Sequence, residues 1–180
     1  MAELIFAGFG GQGVMSMGMM LAYAGMLEEK NVSWIPSYGP EMRGGTANCA
    51  VVVTADEIGS PLVTDPDVVV AMNLPSMLKF EPKLKKGGLL IYNSSLIERE
   101  EGREDITVVG IPANEIATEL GNSRVANMVV MGALLAKTGV AKPESIKAAL
   151  RKVLPAHRHD LLPVNEQAME RGAEYASKDR

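Results

Sequence analysis

Short apolar runs alternate with stretches whose apolar residues recur three and four positions apart, and small or polar residues separate them. Leu4-Ile5-Phe6-Ala7 is apolar without alternation, the pattern of a strand buried on both faces of a parallel sheet. Val14 to Glu29 predicts a helix, with Gly18 and Gly25 on one face for close packing on the sheet. Val32-Ser33-Trp34-Ile35 predicts a second strand, ended by the prolines and glycine of Pro36-Ser37-Tyr38-Gly39-Pro40, which continue as an irregular loop to Thr46. Asn48 to Thr54 is valine-rich, and Ile58 to Val63 predicts the returning arm of a hairpin, with Pro61 confining it to an edge. Further strands are expected at Asp67–Asn73, Leu89–Tyr92 and Ile106–Ile111. Helices are expected at Pro75–Leu84, Asn114–Leu120, Arg124–Thr138 (ended by Gly139), Pro143–Val153 and Leu161–Ser177. Residues 97–105 read as a charged surface loop.

Strands alternating with helices predict a three-layer α/β/α fold with a mostly parallel sheet, here a single domain over residues 1–180. Its opening is a Rossmann-like strand, glycine loop and helix, and a β-hairpin is added to the sheet. Ligands of such sheets gather at the carboxyl ends of the strands. Those ends are Gly8–Gly13, Ser37–Thr46, Asn73, Asn93–Ser95 and Pro112–Asn114, all small or polar.

Gly8-Phe9-Gly10-Gly11-Gln12-Gly13 carries the main chemical signal. Glycines let backbone approach a phosphate closely, and a helix start aims free N–H groups at it. An NAD site would also need an acid at the end of the second strand for the ribose hydroxyls. Ile35-Pro36-Ser37-Tyr38 stands there instead, while Glu28 and Glu29 sit at the preceding helix end. The alternative use of the glycines is a tight turn and close helix–sheet packing.

The second constellation is Ser37 to Thr46. Arg43 offers a forked donor to an anion, Gly44-Gly45 permits close backbone approach, and Glu41 can pair with Arg43 or another subunit. A solvent-facing loop with a surface ion pair is the plainer alternative. Binding candidates are thus Gly8, Gly10, Gly11, Gln12, Gly13, Ser37, Tyr38, Glu41, Arg43, Gly44, Gly45, Thr46, Asn73 and Asn93. No catalytic set and no metal site is expected. His157 and His159 share a polar inter-helix loop, and Cys49 lies within an apolar strand.

Composition narrows the partners. A net charge of −4 and 4% aromatic residues argue against nucleic acid and anionic lipid. No apolar run reaches the ~18 residues of a membrane span. A single cysteine cannot hold an iron–sulfur cluster. It fits a reducing cytoplasm, the expected location, and no secretory leader is recognised. Twelve methionines suit core filling or an adaptable interface.

Gly8 to Val14, with Trp34-Ile35-Pro36-Ser37-Tyr38-Gly39-Pro40-Glu41-Met42-Arg43-Gly44-Gly45-Thr46-Ala47-Asn48-Cys49, resembles the gamma subunit of 2-oxoacid:ferredoxin oxidoreductases. Matches continue at Ala71–Ser76, Gly87-Gly88, Asn93–Ser95, Pro112–Ala117, Leu120–Asn122 and Asn127–Ala133, so nearly the whole chain is covered. The likeness is to the 2-oxoglutarate (KorC-like) branch first, then to the 2-ketoisovalerate branch, with pyruvate beside them.

The resemblance implies a complex that oxidatively decarboxylates a 2-oxoacid, forms acyl-coenzyme A and reduces ferredoxin. It implies thiamine diphosphate with magnesium between alpha and beta subunits, iron–sulfur clusters in beta and delta (ferredoxin-like) subunits, and coenzyme A shared with this chain, which binds no cofactor covalently. The gamma subunit alone would be inactive. Rival readings are a stand-alone nucleotide-binding module and a purely structural subunit.

Overall fold

The computed structural model describes residues 1–38 and 46–178. The strands are β1 (Ala2–Phe9), β2 (Asn31–Tyr38), β3 (Thr46–Thr54), β4 (Val68–Ala71), β5 (Leu89–Asn93) and β6 (Thr107–Ile111). The helices are α1 (Val14–Leu27), α2 (Leu74–Phe80), α3 (Ala113–Glu119), α4 (Ala126–Thr138), α5 (Pro143–Val153) and α6 (Leu162–Lys178). Short 3-10 turns occupy Glu81–Lys83, Ser123–Val125 and Ala156–Leu161.

The strands form one sheet in the order β2-β3-β1-β4-β5-β6. β1, β4, β5 and β6 run parallel, and β3 runs antiparallel between β1 and β2. Both faces are covered, which explains the unalternating apolar strands. On β1, Leu4 and Phe6 join a cluster with α1, α3, α4, α5 and α6, while Ile5 and Ala7 point to Met77, Phe80, Leu84 and Ile97 on the other face. Full burial of such side chains stabilises by about 1.5–3 kcal/mol each.

Glycines set the closest approaches. A Cβ on Gly18 would meet the Cys49 sulfur and lie 3.0 Å from Trp34 Nε1, and one on Gly25 would lie 2.6 Å from Val32 Cγ1. The shared glycine face of α1 is therefore its sheet-packing face, as its spacing predicts. At the α4–α6 crossing, Gly132 abuts the Met169 carbonyl and Gly172 abuts the Val129 carbonyl. Gly139 ends α4 in the left-handed region at φ 60°.

Two expectations are overturned. The hairpin is not Asn48–Val63: β3 already has β1 on one side and β2 on the other, so residues 58–63 find no free edge on β3 and are irregular. The antiparallel partner is β2 instead. Nor does β2 stop at Ile35, for Pro36 pairs opposite Cys49 and the strand runs to Tyr38. β2 is an edge strand, where a missing N–H donor is tolerated. Residues 97–105 form the expected charged surface loop, anchored to the body at its ends. Ile97 is buried, and Arg99 (2.7 Å) and the Arg103 N–H (3.1 Å) both donate to Oε1 of the buried Glu81.

Candidate functional site

The sheet register brings the two glycine-containing motifs together. Phe9, which ends β1, lies opposite Thr46, which begins β3, and Tyr38 at the end of β2 lies opposite Ala47. The glycine loop and both flanks of the Ser37–Thr46 motif therefore share one end of the sheet. Ser37 and Thr46 are exposed there. Glu41, Arg43, Gly44 and Gly45 lie outside the described residues.

The loop is closed by Gln12. Its Oε1 accepts the Phe9 N–H (2.6 Å), its own N–H donates to the Phe9 carbonyl (3.2 Å), and its Nε2 donates to the Met72 carbonyl (3.1 Å). A Cβ on Gly8 would sit 2.6 Å from Gln12 Oε1 and 2.9 Å from Met72 Cβ, so this clamp requires glycine at position 8. Gly11 (φ 91°) and Gly13 (φ 77°) take backbone conformations that disfavour side chains. Gly10 and Gly11 are exposed, and nothing occupies the position of a Cβ on Gly11. Gly13 starts α1 without a side-chain cap.

Beside this loop lies a crevice of about 400 Å³, lined by Gly11, Gln12, Met72, Leu96, Asn114, Ser123, Arg124, Ala126 and Asn127. Among the described residues, its lining holds one guanidinium and no carboxylate. Arg124 is exposed, and its backbone N–H donates to the Asn122 side chain (3.0 Å), which caps the turn leading into α4. The first turn of α4 thus faces the glycine loop, and Asn127 fills the space beside Gly13. The bare backbone of Gly11, side-chain amides and a guanidinium around an open cleft suit an anion.

Asn73 and Asn93 are at the predicted strand ends but are buried. Asn73 caps α2 by accepting the Ser76 N–H (2.9 Å). Asn93 accepts from Ser95 (3.2 Å) and Ala113 (3.3 Å), and donates to Asn114 (2.8 Å). They position the loops rather than line the crevice. Ser123, Arg124 and Asn127 were not among the sequence candidates. The available signal was Asn127, the one polar residue in the run Val125–Leu135.

The remaining candidate chemistry is absorbed by the fold. Glu28 is in no position to bind a ribose. Partial burial pushes its carboxyl up, but the Lys142 N–H (2.6 Å), Lys30 (2.8 Å) and Ser145 outweigh that and hold it at about 2. The Cys49 thiol is buried against Val14 and raised to about 12 by burial. His159 Nε2–H donates to the Leu154 (2.9 Å) and Arg151 (3.1 Å) carbonyls at the end of α5. Among the described residues, no cluster of three His, Cys, Asp or Glu could hold a metal, and no helix is long and apolar enough to cross a membrane.

Known proteins share this architecture. Ketoisovalerate oxidoreductase subunit VorA of Methanothermobacter marburgensis is 41% identical over 175 residues, covering 96% of this chain and 36% of its own. The chain thus spans about a third of the length of such relatives. 2-Oxoglutarate synthase subunit KorC of the same organism is 37% identical over 160 residues, covering 85% of this chain and 86% of its own. Among solved structures, a keto/oxoacid ferredoxin oxidoreductase gamma subunit from Geobacter sulfurreducens superposes with a TM-score of 0.85, at 28% identity and 99% coverage of both chains. A 2-oxoglutarate:ferredoxin oxidoreductase from Magnetococcus marinus, with 2-oxoglutarate, coenzyme A and succinyl-CoA bound, superposes with a TM-score of 0.90. It is 25% identical, over 98% of this chain and 31% of that one. A sequence model of one family matches residues 3–175, and the chain belongs to that family, pyruvate ferredoxin/flavodoxin oxidoreductase.

Proposed function

We infer that the chain is the gamma subunit of a 2-oxoacid:ferredoxin oxidoreductase, and that its crevice holds the phosphates of coenzyme A. The observation that carries the second part is the lining: the bare backbone of a glycine loop, the α4 first turn with Asn127, and the Arg124 guanidinium, with no carboxylate among the described lining residues. The residues fit a polyanionic nucleotide. Gly11 leaves its side of the cleft open, and Arg43 on the neighbouring motif would add a second guanidinium. Thiamine diphosphate with magnesium, between alpha and beta chains, would supply decarboxylation, and iron–sulfur clusters on beta and delta chains would carry electrons to ferredoxin. This chain's part is to bind and orient, not to react. 2-Oxoglutarate is the first substrate to try, with 2-ketoisovalerate and pyruvate beside it, and the cytoplasm is the expected location.

The structural-subunit alternative draws on Gln12 and Asn93, whose side chains are engaged within the chain. A titration separates the readings. The assembled enzyme should bind coenzyme A, and Arg124→Ala should raise the apparent KM for coenzyme A about tenfold or more, the effect of losing a charge-assisted hydrogen bond. The KM for the 2-oxoacid should stay unchanged. Unaltered coenzyme A kinetics in Arg124→Ala would remove the nucleotide from this crevice, and tight NADH or FAD binding would favour a stand-alone nucleotide-binding module.

A further inference from the structure

α1 is apolar on nearly every side, with Ser16 and the Tyr23 hydroxyl as its polar groups. From Val14 to Leu27 it carries no charged residue, and a water-facing helix ordinarily presents a polar face. Its buried residues include Met17, Leu21 and Ala24, which pack on the sheet. Met15, Met19, Tyr23, Met26 and Leu27 lie on the opposite side, with Ser16 among them and Met15 partly packed against the core. At 3.6 residues per turn they cover a stripe about 120° wide. Met26 is 58% exposed, Leu27 48% and Tyr23 39%. An exposed apolar stripe of this kind, broken only by Ser16, marks a contact surface.

We propose that this stripe docks the polypeptide that corresponds to the remaining length of the VorA relatives. That assignment rests on the reading of the chain as part of a larger enzyme. In those relatives the same domain is 36% of one chain, whereas in KorC it is 86%. The domain therefore occurs both joined to a further stretch nearly twice its size and nearly alone. A domain used in both ways needs a non-covalent face for that stretch. Lipid is the wrong occupant, because an interfacial membrane helix pairs its apolar side with lysines and arginines, and α1 has neither. Methionines instead give an adaptable surface for a protein partner. The stripe begins two residues after Gly13, so a partner seated on it borders the glycine loop.

The test co-expresses the full chain with the same organism's polypeptide homologous to the rest of VorA. Assembly is read by light scattering after size exclusion and by titration. The double variant Met19→Glu/Met26→Glu should weaken assembly at least tenfold while keeping the thermal midpoint of the isolated chain. Leu78→Glu, at a 64% exposed position on α2, should assemble like wild type. Wild-type assembly by Met19→Glu/Met26→Glu would overturn the docking face and leave the larger-enzyme reading standing. No association of the wild-type chain with that polypeptide would overturn both. A wild-type homodimer that the double variant dissociates, with the mixed complex intact, would assign the stripe to a second copy and also overturn the proposal. Tyr23→Ser guards against a folding artefact, and it too should weaken assembly. Coenzyme A binding is a separate readout, so failure of the crevice assignment is distinguishable.

Discussion

Asn127 stands where a Cβ on Gly13 would be. The Asn127 amide fills that space, and Gly13 turns through φ 77°, so the start of α1 and the first turn of α4 interlock at one residue without a side chain. Gly13→Ala should therefore destabilise the fold by about 1–3 kcal/mol, from left-handed strain plus the collision. Urea denaturation of Gly13→Ala, Asn127→Ala and the double variant separates the two. The double variant should recover the collision part and retain the strain. Fully additive losses would show that the residues do not touch.

The α4–α6 crossing is equally intolerant. Cβ atoms on Gly132 and Gly172 would enter the carbonyls of Met169 and Val129, which are backbone and cannot rotate away. Each substitution to alanine should cost about 1–3 kcal/mol or more. The pair should cost less than the sum, because one separation of the helices relieves both. A thermal midpoint unchanged in either single variant would contradict the closeness of this crossing.

Glu28 links the end of α1 to the start of α5, and its pKa of about 2 makes the link pH-dependent. A carboxyl held below its ordinary 4.5 contributes stability that is complete above about pH 4.5 and lost as pH falls through 2. Glu28→Gln should cost about 1–3 kcal/mol at pH 7. The gap from wild type should narrow between pH 4.5 and 2, which denaturation at a series of pH values would register. A gap independent of pH would assign the effect to shape rather than charge.

Cys49 should be chemically silent in the native state. Burial raises its thiol to about 12, and the residue is fully enclosed, so a thiol reagent at pH 8 finds neither thiolate nor access. Labelling should follow unfolding: no modification in buffer, and complete modification in concentrated urea. Rapid native labelling would mean that α1 lifts from β3.

Much of this architecture was legible along the chain because local physics governs it. Leu4–Ala7 must be enclosed on both sides, and Pro143 and Val153 bound α5 as the start signal and periodicity predict. Gly18 and Gly25 sit one above the other because a helix places them so. Position against other strands was not legible. Ile58–Val63 has the composition of a strand arm, and the presence of β1 and β2 on either side of β3 excludes it from pairing there. Pro36 looked like a stop until the sheet placed it on an open edge.

The same division holds for the site. The amino-acid order by itself determined that Gly8–Gly13 forms a bare loop between a strand and a helix, because missing Cβ atoms and the apolar flanks act over a few residues. Only the tertiary structure decided what faces that loop. It set Thr46 opposite Phe9, turned Asn93 inward as a brace, and carried Arg124 and Asn127 to the far wall of the crevice. Chain separation hides such neighbours, since sheet register and helix crossing are settled by burial over the whole molecule.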